Sequence, residues 1–137
     1  MINETTHAML DSAEKDCVFC KLDADRTVLA SSSLAFAIYD KFPVNSGHAL
    51  IIPKRHTANY FDLSVEEQQA LFALLNEVKQ QLVEIHSPDA FNVGINVGEA
   101  AGQTVGHVHI HLIPRYNGDM DNPRGGVRGV IPGQREY

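Results

Sequence analysis

Tryptophan is absent from the 137 residues, and cysteine occurs only twice, at Cys17 and Cys20. Two cysteines are too few for the disulfide scaffold of a small secreted protein. No run of about 18 apolar residues occurs, which excludes a membrane-spanning helix. Residues 1–16 carry Glu4, Asp11, Glu14 and Asp16 without an apolar core, so they read as a flexible N-terminal tail and not as a signal peptide. Basic residues are also scarce. Eleven Lys and Arg face 17 Asp and Glu, for a net charge of −6. A protein that grips a nucleic-acid backbone needs a basic stripe, which argues against that class. Small anionic substrates are not excluded, because one site can be positive on an acidic chain. The expectation is a cytoplasmic protein with neither a nucleic-acid nor a membrane partner.

What is present suits one globular domain: 44% hydrophobic and 20% charged residues. Thr27–Ala30 and Leu34–Tyr39 flank the turn Ser31-Ser32-Ser33 and predict a β-hairpin. His48–Ile52 predicts a further strand, closed by Pro53 and the basic Lys54-Arg55-His56. Ser64 with Glu67 is a capping-box signature, and Leu71, Leu74, Leu75, Val78, Leu82 and Ile85 recur at spacings of three and four. This predicts an amphipathic helix ending before Pro88. Phe91–Val97 and His107–Pro114 predict two more strands, joined by a glycine-containing loop. Neighbouring strands with tight turns indicate an α+β domain, an antiparallel sheet with a helix on one face. The final stretch, residues 119–137, reads as a Gly/Arg-rich tail.

His107-Val108-His109-Ile110-His111-Leu112-Ile113 is the most informative segment. On a strand, alternate side chains share a face. Val108, Ile110 and Leu112 therefore enter the core, and three imidazoles line the opposite side. Such a row has two chemical uses. Histidines two apart can share a Zn²⁺. Alternatively, a neutral imidazole can attack phosphorus while its neighbours orient it and hold phosphate oxygens. The surroundings favour phosphorus chemistry: Gly98–Gly106 offers backbone N–H groups to an anion, Gln103 and Thr104 add neutral donors, and Asn96 and His48 sit at strand ends able to reach the same spot.

These residues resemble the signature of the histidine triad (HIT) superfamily of nucleotide hydrolases and transferases. Gly47–His56, Asn92–Asn96, Ala101–Val105 and Cys17–Cys20 are similar to further blocks of that family, so the resemblance covers about residues 17–118. It implies a HIT-like α+β fold with a five-stranded antiparallel sheet and two helices. It also implies a homodimer with a continuous ten-stranded sheet and a purine nucleotide substrate, usually containing AMP. His109 would be the nucleophile that forms a nucleotidyl-histidine, with His111 and His48 contacting the phosphate. Asn96, Gln103 and Thr104 would hold α-phosphate oxygens or the leaving group. Phe36, Ile38 and Asp40 would belong to the nucleoside pocket, Asp40 accepting from a ribose hydroxyl. No organic cofactor is implied. Cys17, Cys20, His56 and His107 match positions that bind a structural Zn²⁺ in some members.

Pro114-Arg115 and Gly118-Asp119 resemble the fragile-histidine-triad and diadenosine-polyphosphate-hydrolase branch, whereas Asn96 matches the phosphoramidase branch. The expected function is hydrolysis at the α-phosphate of AMP conjugates of the diadenosine polyphosphate type. The alternatives are an adenosine 5'-phosphoramidase and a non-enzymatic nucleotide-binding or sensing module.

Overall fold

The computed structural model describes residues 14–137. Most of the expected N-terminal tail, residues 1–13, lies outside the described residues. Five strands form one antiparallel sheet: β1 Val28–Ser31, β2 Ala35–Tyr39, β3 Ala49–Pro53, β4 Ala90–Ile95 and β5 Ile110–Arg115, in the order β1-β2-β3-β5-β4. The expected hairpin is β1–β2, its turn tightened by Ser32, whose N–H donates to the Ala35 carbonyl. Of the two helices implied by resemblance, the described residues contain one α-helix, α1 Val65–His86, together with four short 3-10 turns.

The period-two pattern decides what each face buries. Ala35, Ala37, Ala49, Ile51, Val108, Ile110 and Leu112 face α1 and pack with Leu71, Leu74, Leu75, Val78 and Leu82. The alanines keep that face low, so the helix seats closely on the central strands. Ile85, in the last turn of α1, departs from the expected stripe and is 61% exposed. Phe36, Ile38, Leu50 and Ile52 fill the opposite face beneath Phe19.

α1 begins as expected. The Ser64 hydroxyl accepts from Glu67 N–H and the Glu67 carboxylate accepts from Ser64 N–H. Glu67 is only 7% exposed, and Arg55 satisfies it through two N–H donors at 2.9 and 3.0 Å. Burial alone would raise its pKa, but the guanidinium outweighs burial and holds the carboxyl below its ordinary range. That pair ties the loop after β3 to the helix N-terminus. The helix ends at Ser87, which adopts the left-handed conformation and donates its N–H to the Val83 carbonyl.

The last strand starts later than the sequence pattern indicates, at Ile110 and not His107. Its ladder with β3 covers only Ile110–Leu112. Before that, Val108 N–H donates to Thr57 in the loop after β3. The alternation of side chains nevertheless persists back to Val108, which lies in the core.

Candidate active site and metal centre

His48 stands immediately before β3, where Gly47 bends the chain. Gly47 has φ +88°, and a Cβ there would come within 2.9 Å of the His86 ring. Only glycine combines that backbone with that closeness. His48 is thereby buried beside β5, its Nε2 lying 3.0 Å from His111 Nδ1.

The hydrogen bonds determine which nitrogens carry protons. Val44 N–H donates to His48 Nδ1, so the neutral His48 bears its proton on Nε2. His48 Nε2–H donates to His111 Nδ1, which leaves the His111 proton on Nε2. His109 Nδ1 is 2.9 Å from the His107 carbonyl, which can only accept. His109 Nδ1 is therefore the donor, and in the neutral ring Nε2 holds the lone pair. The Asp40 carboxylate lies 3.5 Å from His48 Nε2 and also accepts from Phe42 N–H.

Burial lowers the His48 pKa, offset in part by the Asp40 charge. The same cause, with His109 and His48 nearby, lowers His111 from 6.5 to about 4. Both rings therefore stay neutral at pH 7. In the unfolded chain these imidazoles protonate near 6.5, so the unfolded state binds more protons just below that pH. Stability should fall as pH drops from about 6.5 towards 4.5, a window above the ordinary Glu range. Thermal midpoints measured across that range should decline, and His111→Asn should flatten the slope. An unchanged slope would contradict this assignment.

His109 is 9% exposed and forms part of the wall of a cleft of about 360 Å³. This is within the size range of small-ligand sites. Asp40, Asn96, Thr104 and His111 line it as well. The structure thus brings together most of the residues the sequence singled out. Gln103 is placed differently. Its amide donates to the Ala58 and Val105 carbonyls and its oxygen accepts from Gly98 N–H, so it shapes the loop. Phe36 and Ile38 lie in the apolar layer under Phe19 and do not line the cleft. Sequence reasoning missed Val18, Phe19, Lys21, Arg26 and Phe42 as lining residues. Phe19 packs edge-on against both His109, at 5.1 Å, and His107, at 5.9 Å. The one available signal was its position between two cysteines.

His107 does not share this cleft. It is fully buried, and its Nε2–H donates to the Pro53 carbonyl at 2.7 Å. The Nδ1 lone pair then faces Cys17 Sγ at 3.5 Å, Cys20 Sγ at 3.4 Å and His56 Nδ1 at 3.2 Å. His56 Nδ1 is 3.2 Å from Cys20 Sγ. A tetrahedron with ordinary Zn–N and Zn–S bonds has edges of about 3.3–3.8 Å. The four donor atoms all lie within 4.8 Å of one another. Donor types, spacing and the His107 tautomer fit a closed metal site. Burial raises the Cys20 thiol pKa, so without a cation the thiol stays protonated.

A sheet of this topology, carrying one histidine cluster at a cleft and another with two cysteines, belongs to a known class. The HIT domain profile matches residues 21–118, and the chain belongs to that family. It is 38% identical over 104 residues to an adenosine 5'-monophosphoramidase of Schizosaccharomyces pombe, covering 74% of this chain and 75% of that one. An asymmetrical bis(5'-nucleosyl)-tetraphosphatase of the same yeast is 37% identical over 106 residues, or 77% of this chain. The chain spans only 58% of that enzyme's length. Among solved structures, a Zn-bound histidine triad family protein from Mycobacterium smegmatis superposes with a TM-score of 0.69 at 37% identity, covering 76% of this chain and 78% of that one. No helix among the described residues is long and apolar enough to cross a membrane.

Proposed function

We propose that this chain is a nucleotidyl hydrolase that cleaves AMP conjugates of the diadenosine polyphosphate type at the α-phosphorus. The observation that carries this reading is the His109–His107 carbonyl bond, which in the neutral ring puts the lone pair on His109 Nε2, beside a cleft of mononucleotide size. The Nε2 lone pair forms a bond to the α-phosphorus. The bond to the bridging oxygen breaks, and the leaving polyphosphate departs with that electron pair. His111 Nε2–H, oriented by His48, donates a hydrogen bond to a non-bridging oxygen, and Asn96 and Thr104 supply further neutral donors. Water then attacks the nucleotidyl-histidine, releasing AMP and a proton and restoring the lone pair. Val18, Phe19 and Leu50 offer the nucleoside an apolar wall, and Asp40 a ribose acceptor.

A phosphoramidase reading is supported by Asn96 and by the yeast monophosphoramidase relative. An amine must leave protonated, however, and burial lowers the His111 pKa to about 4 in the free protein, which disfavours the imidazolium that would supply that proton. A polyphosphate leaves as an anion, which favours the first reading. The test is to incubate the protein with diadenosine tetraphosphate or adenosine 5'-phosphoramidate and quench in alkaline denaturant, where a P–N bond survives. Mass spectrometry should find an AMP adduct on the peptide containing His109, with faster turnover of the tetraphosphate. Turnover without that adduct, or an adduct elsewhere, would overturn the proposal. Tight AMP binding with no turnover of either compound would point to a sensing module.

Zn²⁺ in the Cys17, Cys20, His56 and His107 site is part of the same proposal, with a structural role because four protein donors leave no open position. Strand β4 is an edge strand with one backbone side unpaired among the described residues. This supports the homodimer implied by resemblance.

A further inference from the structure

His111 and Asn96 line a second hollow as well as the nucleotide cleft. This groove, of about 630 Å³, runs from His48 along the same face of β4 and β5 towards residues 120–135. The C-terminal segment was expected to be a tail. It folds into two 3-10 turns, Gly126–Val130 and Pro132–Gln134; the first of them and Arg135, just after the second, close the far wall.

Two features give the groove a chemical character. No Asp or Glu lines it, while Arg115 and Arg135 do. Arg115 is already committed, pairing with both carboxylate oxygens of Asp119 and donating to Asn92. Arg135 is half-buried, and no carboxylate or carbonyl among the described residues receives its guanidinium. Its placement is built in. A Cβ on Gly125, at φ +88°, would collide with the Arg135 carbonyl, and one on Gly129 would come within 3.2 Å of Arg135 Cδ. The two glycines therefore make room for the backbone and stem of this residue. The rest of the lining includes Ile113, Met120, Val127 and Val130, apolar surface suited to a flat heterocycle.

We infer that this groove is the leaving-group subsite, that it takes the second nucleotide of a dinucleoside polyphosphate, and that Arg135 binds the bridging phosphates. This rests on the assignment of His109 as the group that attacks the AMP phosphorus. The α-phosphate then sits at the junction marked by His111 and Asn96, with the retained nucleotide in one hollow and the departing one in the other. Arg135 is a specificity residue for the polyphosphate chain.

The test is a binding measurement that needs no turnover, so its outcome is separate from that of the covalent chemistry. Dissociation constants are measured by calorimetry for AMP and for a methylene-bridged diadenosine tetraphosphate. The wild-type protein should bind the bridged compound about tenfold or more tightly than AMP, as a charge-assisted contact allows. Arg135→Gln should remove about tenfold of that affinity and leave AMP binding within twofold, while Arg135→Lys stays within threefold of wild type on both. Raising the salt concentration should weaken the bridged compound more than AMP in the wild-type protein, a readout that needs no variant. Equal affinity of the wild type for the two ligands, equal losses on both in Arg135→Gln, or no loss on either would overturn the inference.

Discussion

His109→Ala should lower kcat/KM for diadenosine tetraphosphate by about four orders of magnitude or more, equivalent to about 5 kcal/mol of transition-state stabilisation. The size of the loss follows from the proton positions at the site. Three imidazoles lie together, but the other two have no spare lone pair. His48 Nδ1 accepts from Val44, and His111 Nδ1 accepts from His48. Their remaining nitrogens carry protons. Neither can replace His109 as nucleophile without breaking a buried hydrogen bond. His109→Asn is the companion variant, close in shape and polar, and it should melt within a few degrees of wild type while remaining equally inactive. His111→Asn removes a donor and not the nucleophile, so its loss should be smaller, about two orders of magnitude. If His109→Ala retained even a tenth of the wild-type rate, attack by this residue would be ruled out, because no second group is placed to take over.

The alternation around His109 was legible in the sequence because the strand period is short and the core side is uniformly apolar. Val108, Ile110 and Leu112 lie where that pattern put them. The helix was equally plain, since capping box and stripe agree. Ile85 fitted the stripe and yet is 61% exposed, because the helical period does not say which positions of a stripe the sheet covers. Other features depended on contacts distant in sequence. His107 and His109 are alike in the sequence, yet one turns to two cysteines some 90 residues earlier and the other to the cleft. Resemblance separated them; residue pattern did not. Gln103 looked like a phosphate donor, and only the folded loop shows its amide held by Ala58, Val105 and Gly98. The groove wall at Arg135 was hidden for a similar reason. Glycine-rich sequence reads as a mobile terminus, and here two of those glycines accommodate one arginine.

Removal of zinc should cost stability first and nucleotide affinity with it. The protein as purified should contain one zinc per chain by elemental analysis. Extended treatment with a strong chelator, or the double change Cys17→Ser and Cys20→Ser, should lower the thermal midpoint by about 10 °C. That corresponds to about 3–4 kcal/mol of linked binding energy in a domain of this size. The effect should deepen at mildly acidic pH, where protons compete for the donors. Burial, which raises the Cys20 pKa, strengthens that competition. AMP affinity should fall in parallel, because the short segment that supplies both thiols also supplies Val18, Phe19 and Lys21 to the cleft wall. Phe19 touches the rings of both His107 and His109, so loosening one cluster disturbs the other. The time course distinguishes this role from a catalytic one. A structural ion predicts inactivation that tracks the loss of fold, whereas a catalytic ion predicts an immediate loss of rate with the melting curve unchanged. Absence of zinc from the purified protein, or a midpoint unmoved by both the chelator and the double serine variant, would remove the metal from the account and leave the four donors as a hydrogen-bonded cluster.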